Sequence, residues 1–182
     1  MPFGAQMLPG GGVRFRIWAP SVERVELLLA VPERATVSRD LHPRAGGWFE
    51  LETGAAGAGT LYRFRIDGSV EVPDPASRFN PRDVHGPSMV VDPAAFDWPD
   101  ADWRGRPWQD AVIYELHVGA FSEQGSFAGI ERRLDHLARL GVTALELMPL
   151  ADFPGRRNWG YDGVLWFAPD ASYGSPEELK QL

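Results

Sequence analysis

The sequence predicts a chain of two unlike parts, an all-β module followed by the opening of a parallel α/β unit. Three observations carry this. Short runs up to Ile66 alternate apolar and polar residues with a period of two, the signature of half-buried strands. From Ala111 the pattern changes to an apolar run, an amphipathic helical stretch and a second apolar run, which is a βαβ order. Between the two lies a proline-rich segment with no sustained period.

Gly12 to Pro20 sets Val13, Phe15 and Ile17 on one side and Arg14 and Arg16 on the other, and Pro20 ends the strand. Similar strands are expected at Val25 to Ala30, Trp48 to Glu52 and Thr60 to Ile66. In the last of these Tyr62, Phe64 and Ile66 share a face and Asp67-Gly68 supplies a tight hairpin turn. Strands of this length, separated by Gly, Pro and Ser clusters, predict a small immunoglobulin-like sandwich over residues 1–92. Residues 93–110 complete a Pro/Trp-rich linker. The irregular stretch as a whole runs from Val72 to Pro107 with one short strand at Met89 to Val91, and Phe79, Phe96, Trp98, Trp103 and Trp108 are its expected anchors.

Residues 111–182 form the second part. Val112 to Val118 reads as a strand and Gly119 to Gly125 as a loop. Ser126 is the N-cap of a single helix carrying Ile130, Leu134, Leu137 and Leu140 on one face, and Gly141 is its C-cap. Val142 to Leu147 is the second strand, parallel to the first, and Pro149 stops it. Val164 to Phe167 suits a further short strand. Ser175-Pro176-Glu177-Glu178 has the make-up of a capping box with Pro at the first helical position. Two parallel strands leave edges and a face uncovered, so the sequence reads as a truncated α/β protein.

Composition narrows the functions. With 182 residues and 44% hydrophobic content the chain can build a core, and a net charge of −7 argues against a nucleic-acid partner. There is no cysteine, and the four histidines are too scattered for a metal motif, so no metal or other cofactor is expected. No run approaches the ~20 apolar residues of a membrane span and the N-terminus lacks a basic, apolar leader, so no membrane partner and a cytoplasmic location are expected.

The chemistry concentrates beyond the second strand, in LADFPGRRNWGYDGV. Arg156, Arg157, Trp159, Tyr161, Asp162 and Asp152 stand among Gly155, Gly160 and Gly163 at a strand's C-terminal end. Aromatic rings stack on the C–H faces of a sugar while carboxylates and guanidinium groups bond its hydroxyls, so this loop suits a saccharide. The alternative is that Trp159 and Tyr161 pack the loop and Asp162 caps a turn. Glu115, His117 and Glu146 share a sheet face, either as paired carboxylates or, with greater weight, as a buried scaffold network; Asp152 reads as a turn residue.

YELHVGAF, LGVTALELMPL and NWGYDGVLWFAPDASYG resemble the first strand, second strand and following segment of the (β/α)8 TIM barrel of the α-amylase superfamily. With PDPASRFNPRDVHGPS, WRGRPW and SYGSPEELK, nearly the whole chain most resembles the malto-oligosyltrehalose trehalohydrolase family. That resemblance implies a multidomain glycoside hydrolase of trehalose biosynthesis, cleaving the α-1,4 bond beside a terminal trehalose in a malto-oligosaccharide substrate. It implies a sandwich before the barrel and substrate contacts at Tyr161, Trp159 and Asp162. It assigns no catalytic residue here, because the family's nucleophile, acid/base and stabilising aspartate lie on later strands, which makes the chain an inactive fragment. A glycogen-branching transferase and a stand-alone glucan-binding module, using Trp18 or Trp48, remain the alternatives.

Overall fold

The computed structural model describes residues 3–30 and 36–182. Two antiparallel sheets form its first part. One has the order β1-β2-β6-β5, with β1 Gly4–Met7, β2 Val13–Trp18, β6 Trp48–Thr53 and β5 His42–Arg44. The other has β4-β3-β7-β8, with β4 Val37–Asp40, β3 Val25–Ala30, β7 Leu61–Ile66 and β8 Val70–Val72, and β9 Ser88–Met89 also pairs with β7. The apolar faces predicted from the alternation meet between the sheets: Val13, Phe15 and Ile17 from β2, Val25, Leu27 and Leu29 from β3, and Tyr62 and Phe64 from β7 are all buried. Filling such a core contributes roughly 1.5–3 kcal/mol per large side chain.

Asp67 and Gly68 both have positive φ, +46° and +70°, as a type I′ turn between β7 and β8 requires. The Asp67 carboxylate also accepts from the Glu23 and Arg24 amides at 3.0 and 2.9 Å, so the same residue fastens the turn before β3. Gly12 enters β2 with φ +82°, and a Cβ there would lie 2.7 Å from the Thr53 carbonyl oxygen.

The connecting segment is not held as expected. Trp98, Trp103 and Trp108 are 54, 71 and 80% exposed; Phe96 packs edge-on against Trp98 and has the Lys180 ammonium 5.6 Å from its ring centroid. Buried polar side chains do the work instead. Tyr62 donates to Asp74 Oδ2 at 2.7 Å, the Asp74 amide donates to Ser88 Oγ at 3.0 Å, and Ser88 donates to Asn80 Oδ1 at 2.9 Å. An irregular backbone in the interior cannot satisfy its own amides and carbonyls, so it needs short polar side chains more than rings.

In the second part β10 Ile113–Leu116 pairs in parallel with β11 Ala144–Leu147, as predicted. The first strand is shorter than expected, because α1 Val118–Phe121 occupies part of the expected loop. The single helix is two: α2 Phe127–Glu131, capped by Ser126, and α3 Leu134–Arg139. The break falls where the Arg133 amide bonds back three residues to Ile130 at 2.7 Å, tightening the turn, and Leu140 beyond it is 64% exposed despite its place in the apolar period. Gly141 does terminate the run, with φ +89°. A second core gathers Leu116, Val118, Phe127, Ile130, Phe153 and Tyr173. β12 Ala151–Asp152 pairs antiparallel with β13 Leu165–Pro169, and α4 Pro176–Gln181 opens with the full capping box. Among the described residues no helix is long and apolar enough to cross a membrane.

Candidate sugar-contact loop and its buried support

β11 ends at Leu147, the Met148 amide bonds to the Leu116 carbonyl at 2.9 Å, and the chain then crosses the strand ends as a loop that closes at Val164, whose amide donates to the Asp152 carbonyl at 2.8 Å. Within it Asn158 makes the decisive bend. Its Oδ1 accepts from the Gly160 amide, an Asx turn, while its Nδ2 donates to the Tyr173 hydroxyl at 3.1 Å. Gly160 is buried with φ +93°, and a Cβ would come within 2.7 Å of Met148 Cε. Asp162 Oδ2 accepts from the Trp159 amide at 3.1 Å.

Trp159 and Tyr161, on either side of the buried glycine, are consequently turned outward, 85 and 74% exposed. Asp162 is exposed but caps its own loop, so its carboxylate has a structural task as well as a free face. Arg156 and Arg157 are exposed beside them. Asp152, by contrast, is not a turn residue at the surface. It is fully buried, with Oδ2 accepting from Asn80 Nδ2 at 2.9 Å. Glu115 and Glu146 are register partners on β10 and β11, but both are exposed, which removes the buried-network reading for them; the face of the two-stranded sheet they occupy is open.

Beneath the loop lies a polar layer that the sequence did not reveal. His117 Nε2 is 3.5 Å from the Tyr173 hydroxyl, and burial raises the Tyr173 pKa, opposed by its bond with Asn158. Asp170 Oδ2 accepts from the Phe153 amide at 3.2 Å, and its Oδ1 accepts from the Ser172 amide and hydroxyl. A cleft of about 260 Å³ is lined by Asp83, Asp152, Asp170, Arg156 and Ser172. Burial, reinforced by the charges of Asp170 and Asp83, pushes the Asp152 carboxyl up to about 7. The Asx signals at Asn158-Trp-Gly160 and Asp170-Ala-Ser172 were present in the sequence, but the bond from distant Asn80 to Asp152 was not.

A second cleft, of about 250 Å³, opens on the sandwich between Phe3, Trp18, Trp48 and Phe167. The Trp18 indole is fixed by its N–H donating to the Gly46 carbonyl at 2.9 Å and remains 59% exposed. Trp48 opposite it is covered by Phe3 and by the Arg16 guanidinium, 4.4 Å from its ring centroid. Among the described residues no group of three or more His, Asp or Glu side chains could hold a metal ion.

A β-sandwich joined to a parallel βαβ unit, with open aromatic rings beside carboxylate and guanidinium groups, has the architecture of a carbohydrate-active protein. Residues 2–93 match the model of carbohydrate-binding module 48 (isoamylase N-terminal domain), and the chain belongs to that family. Across 98% of its length it is 46% identical to a malto-oligosyltrehalose trehalohydrolase of Deinococcus radiodurans, of which it covers 29%. A 1,4-alpha-glucan branching enzyme of Ralstonia nicotianae is 35% identical over 94% of the chain and 25% of that enzyme. Among solved structures, a putative alpha amylase from Salmonella typhimurium superposes with a TM-score of 0.91 at 42% identity, covering 97% of this chain and 30% of that one. A pullulanase from an Anoxybacillus species, complexed with maltotetraose, superposes with a TM-score of 0.82 at 26% identity, covering 99% and 32%. The chain thus spans about 30% of the length of the trehalohydrolase it matches.

Proposed function

We propose that the chain belongs to a glycoside hydrolase that releases trehalose by cleaving the α-1,4 bond next to the terminal trehalose of malto-oligosyltrehalose, in the cytoplasm. In this reading residues 1–92 are the sandwich module, 93–110 the linker and 111–182 the start of a (β/α)8 barrel. The observation that carries it is the outward fixing of Trp159 and Tyr161 around Gly160, at the C-terminal end of a parallel strand, where barrels place their ligands. Tyr161 stacks on the sugar, with Trp159 and Asp162 as neighbouring contacts, and no residue of the chain is given a catalytic role. The similarity to a trehalohydrolase over nearly the whole chain favours hydrolysis over branching.

Calorimetric titration of the chain with malto-oligosyltrehalose tests the site. Tyr161→Phe keeps the π-face and is expected to be mild. Tyr161→Ala loses buried area together with an aromatic contact of ~0.5–1.5 kcal/mol, and affinity should fall about tenfold. A variant that melts early yet binds normally makes the ring a packing element. The trehalose-release assay on the same chain is expected to show no turnover; turnover abolished by Glu115→Gln would refute the absence of a catalytic residue.

A second reading, glucan binding by the sandwich itself, is favoured by the Trp18 cleft, whose fixed, half-open indole is a stacking platform. Trp18→Ala separates the two, since it should weaken maltotetraose binding only if the sandwich is the binding face.

A further inference from the structure

We propose that Asp152 and Asp170 hold one proton between them as a latch that positions the loop bearing Trp159 and Tyr161, and that loss of this proton loosens the loop. Asp152 is 0% and Asp170 2% exposed. Asp152 closes β12 where the loop begins, and Asp170 follows the far end of β13, the strand that pairs with β12 and receives the loop.

The donors around them are unequal. Asp170 accepts from the Phe153 amide, the Ser172 amide and the Ser172 hydroxyl. Asp152 accepts only from Asn80, and its Oδ1 meets no N–H or O–H donor among the described residues. The Asp170 carboxyl lines the same cleft and is held beside Asp152 by the neighbouring Phe153 amide. Two buried carboxylates so placed repel unless one is protonated, and the donor count decides which. Asp170, with three donors, is the acceptor, and Asp152 carries the proton and donates it across. A buried unmet oxygen is thereby satisfied, and the start of the loop is tied to the chain that follows β13.

The other charged groups facing the pair do not replace the proton. Asp83, from the connector, has Oδ1 on the Val84 amide and Oδ2 on the Gly155 amide, and its charge favours keeping Asp152 neutral. Arg156, from the loop, lines the cleft wall without an ion pair among the described residues. The neutral groups are Asn80 and Ser172. Asp152 titrates at about 7, so the latch is closed in mild acid and opens through neutrality. A carboxyl raised in the folded state binds its proton more tightly than the unfolded chain does, so its contribution to stability falls as pH rises from the ordinary carboxylate range to about 7 and is flat above.

The latch gives regulation to the proposed sugar contact and rests on that reading for its consequence, but not for its test. Hydrogen exchange of the 182-residue chain is measured over residues 153–162 at pH 5.5 and 8.5 and corrected for intrinsic rates. Wild-type protection in this loop should fall about tenfold or more across that range. Asp152→Asn supplies a neutral amide that can donate to Asp170 and accept from Asn80, so its protection should be independent of pH. Asp152→Ala should be open at both values, and Asp83→Asn, which removes a charge that favours the neutral form, should keep the fall in protection but move it to lower pH. A flat wild-type profile, or one flattened by Asp83→Asn instead of Asp152→Asn, overturns the latch. Calorimetry with maltotetraose separates the two layers. A latch seen by exchange with no sugar bound in any form leaves the latch standing and removes the sugar-contact reading.

Discussion

Removing a single oxygen at Tyr62 tests whether the connector is held by polar bonds. The Tyr62 hydroxyl, 1% exposed, donates to Asp74 Oδ2 at 2.7 Å, and Asp74 is equally buried. In Tyr62→Phe the ring keeps its edge contacts with Phe15 at 4.8 Å and Phe64 at 5.9 Å, so hydrophobic packing is unchanged. The Asp74 carboxyl retains the Ala76 amide at 2.8 Å but loses its side-chain donor. A buried acceptor left short of a partner costs about 1–3 kcal/mol, the upper part of the range applying to a charged group. For a chain of this size each kcal/mol shifts Tm by roughly 2–4 °C, so a loss of about 2 kcal/mol predicts a fall of about 4–8 °C. Burial already raises the Asp74 pKa and the Tyr62 bond holds it down, so the substitution raises it further. The folded state then takes up a proton at higher pH, and the deficit must be smaller at pH 5 than at pH 8. Urea unfolding at both values, repeated in an Asp74→Asn background where no charge remains to be served, measures this. A loss under about 0.5 kcal/mol at pH 8, or one equal in both backgrounds, would refute the reasoning.

Two further substitutions probe local backbone requirements. Ser175→Ala removes the acceptor of the Glu178 amide at 3.2 Å and half of the capping box, and should cost about 1 kcal/mol, read as faster amide exchange through Leu179. Gly12→Ala should cost about 2 kcal/mol or more, from positive φ and a Cβ 2.7 Å from the Thr53 carbonyl, whereas Gly54→Ala, with nothing within 4 Å, should be near neutral in the same denaturation assay.

The elements legible in the sequence were those whose stability is local or patterned. The alternation in β2, β6 and β7, the apolar run of β3, the Asp67-Gly68 turn and the Ser126 and Ser175 caps can all be read from neighbours in the chain. The strands that escaped, such as β4 with VSRD and β5 with HPR, are short and polar and exist only because β3 and β6 offer them an edge. The same division runs through the site. Trp159 and Tyr161 stood out by composition, whereas Asp152, beside Pro154 and Gly155, has the neighbours of a turn residue and is buried by a partner far away in sequence. Helix periodicity misled at Leu140 because an apolar position predicts a partner only where another element covers it.

The ties between connector and loop also bear on the order in which the chain folds. Asn80 to Asp152 and Asp83 to Gly155 each join residues 72 positions apart, while β7 and β8 meet across the short Asp67-Gly68-Ser69 connection. Closing the first long tie costs about 4 kcal/mol of chain entropy, more than one hydrogen bond returns. The second is almost free once the first exists, since it lies three residues further along on both sides. The pair should therefore form together and late, on a sandwich already assembled, and during synthesis that sandwich can be complete before Asp152 has left the ribosome.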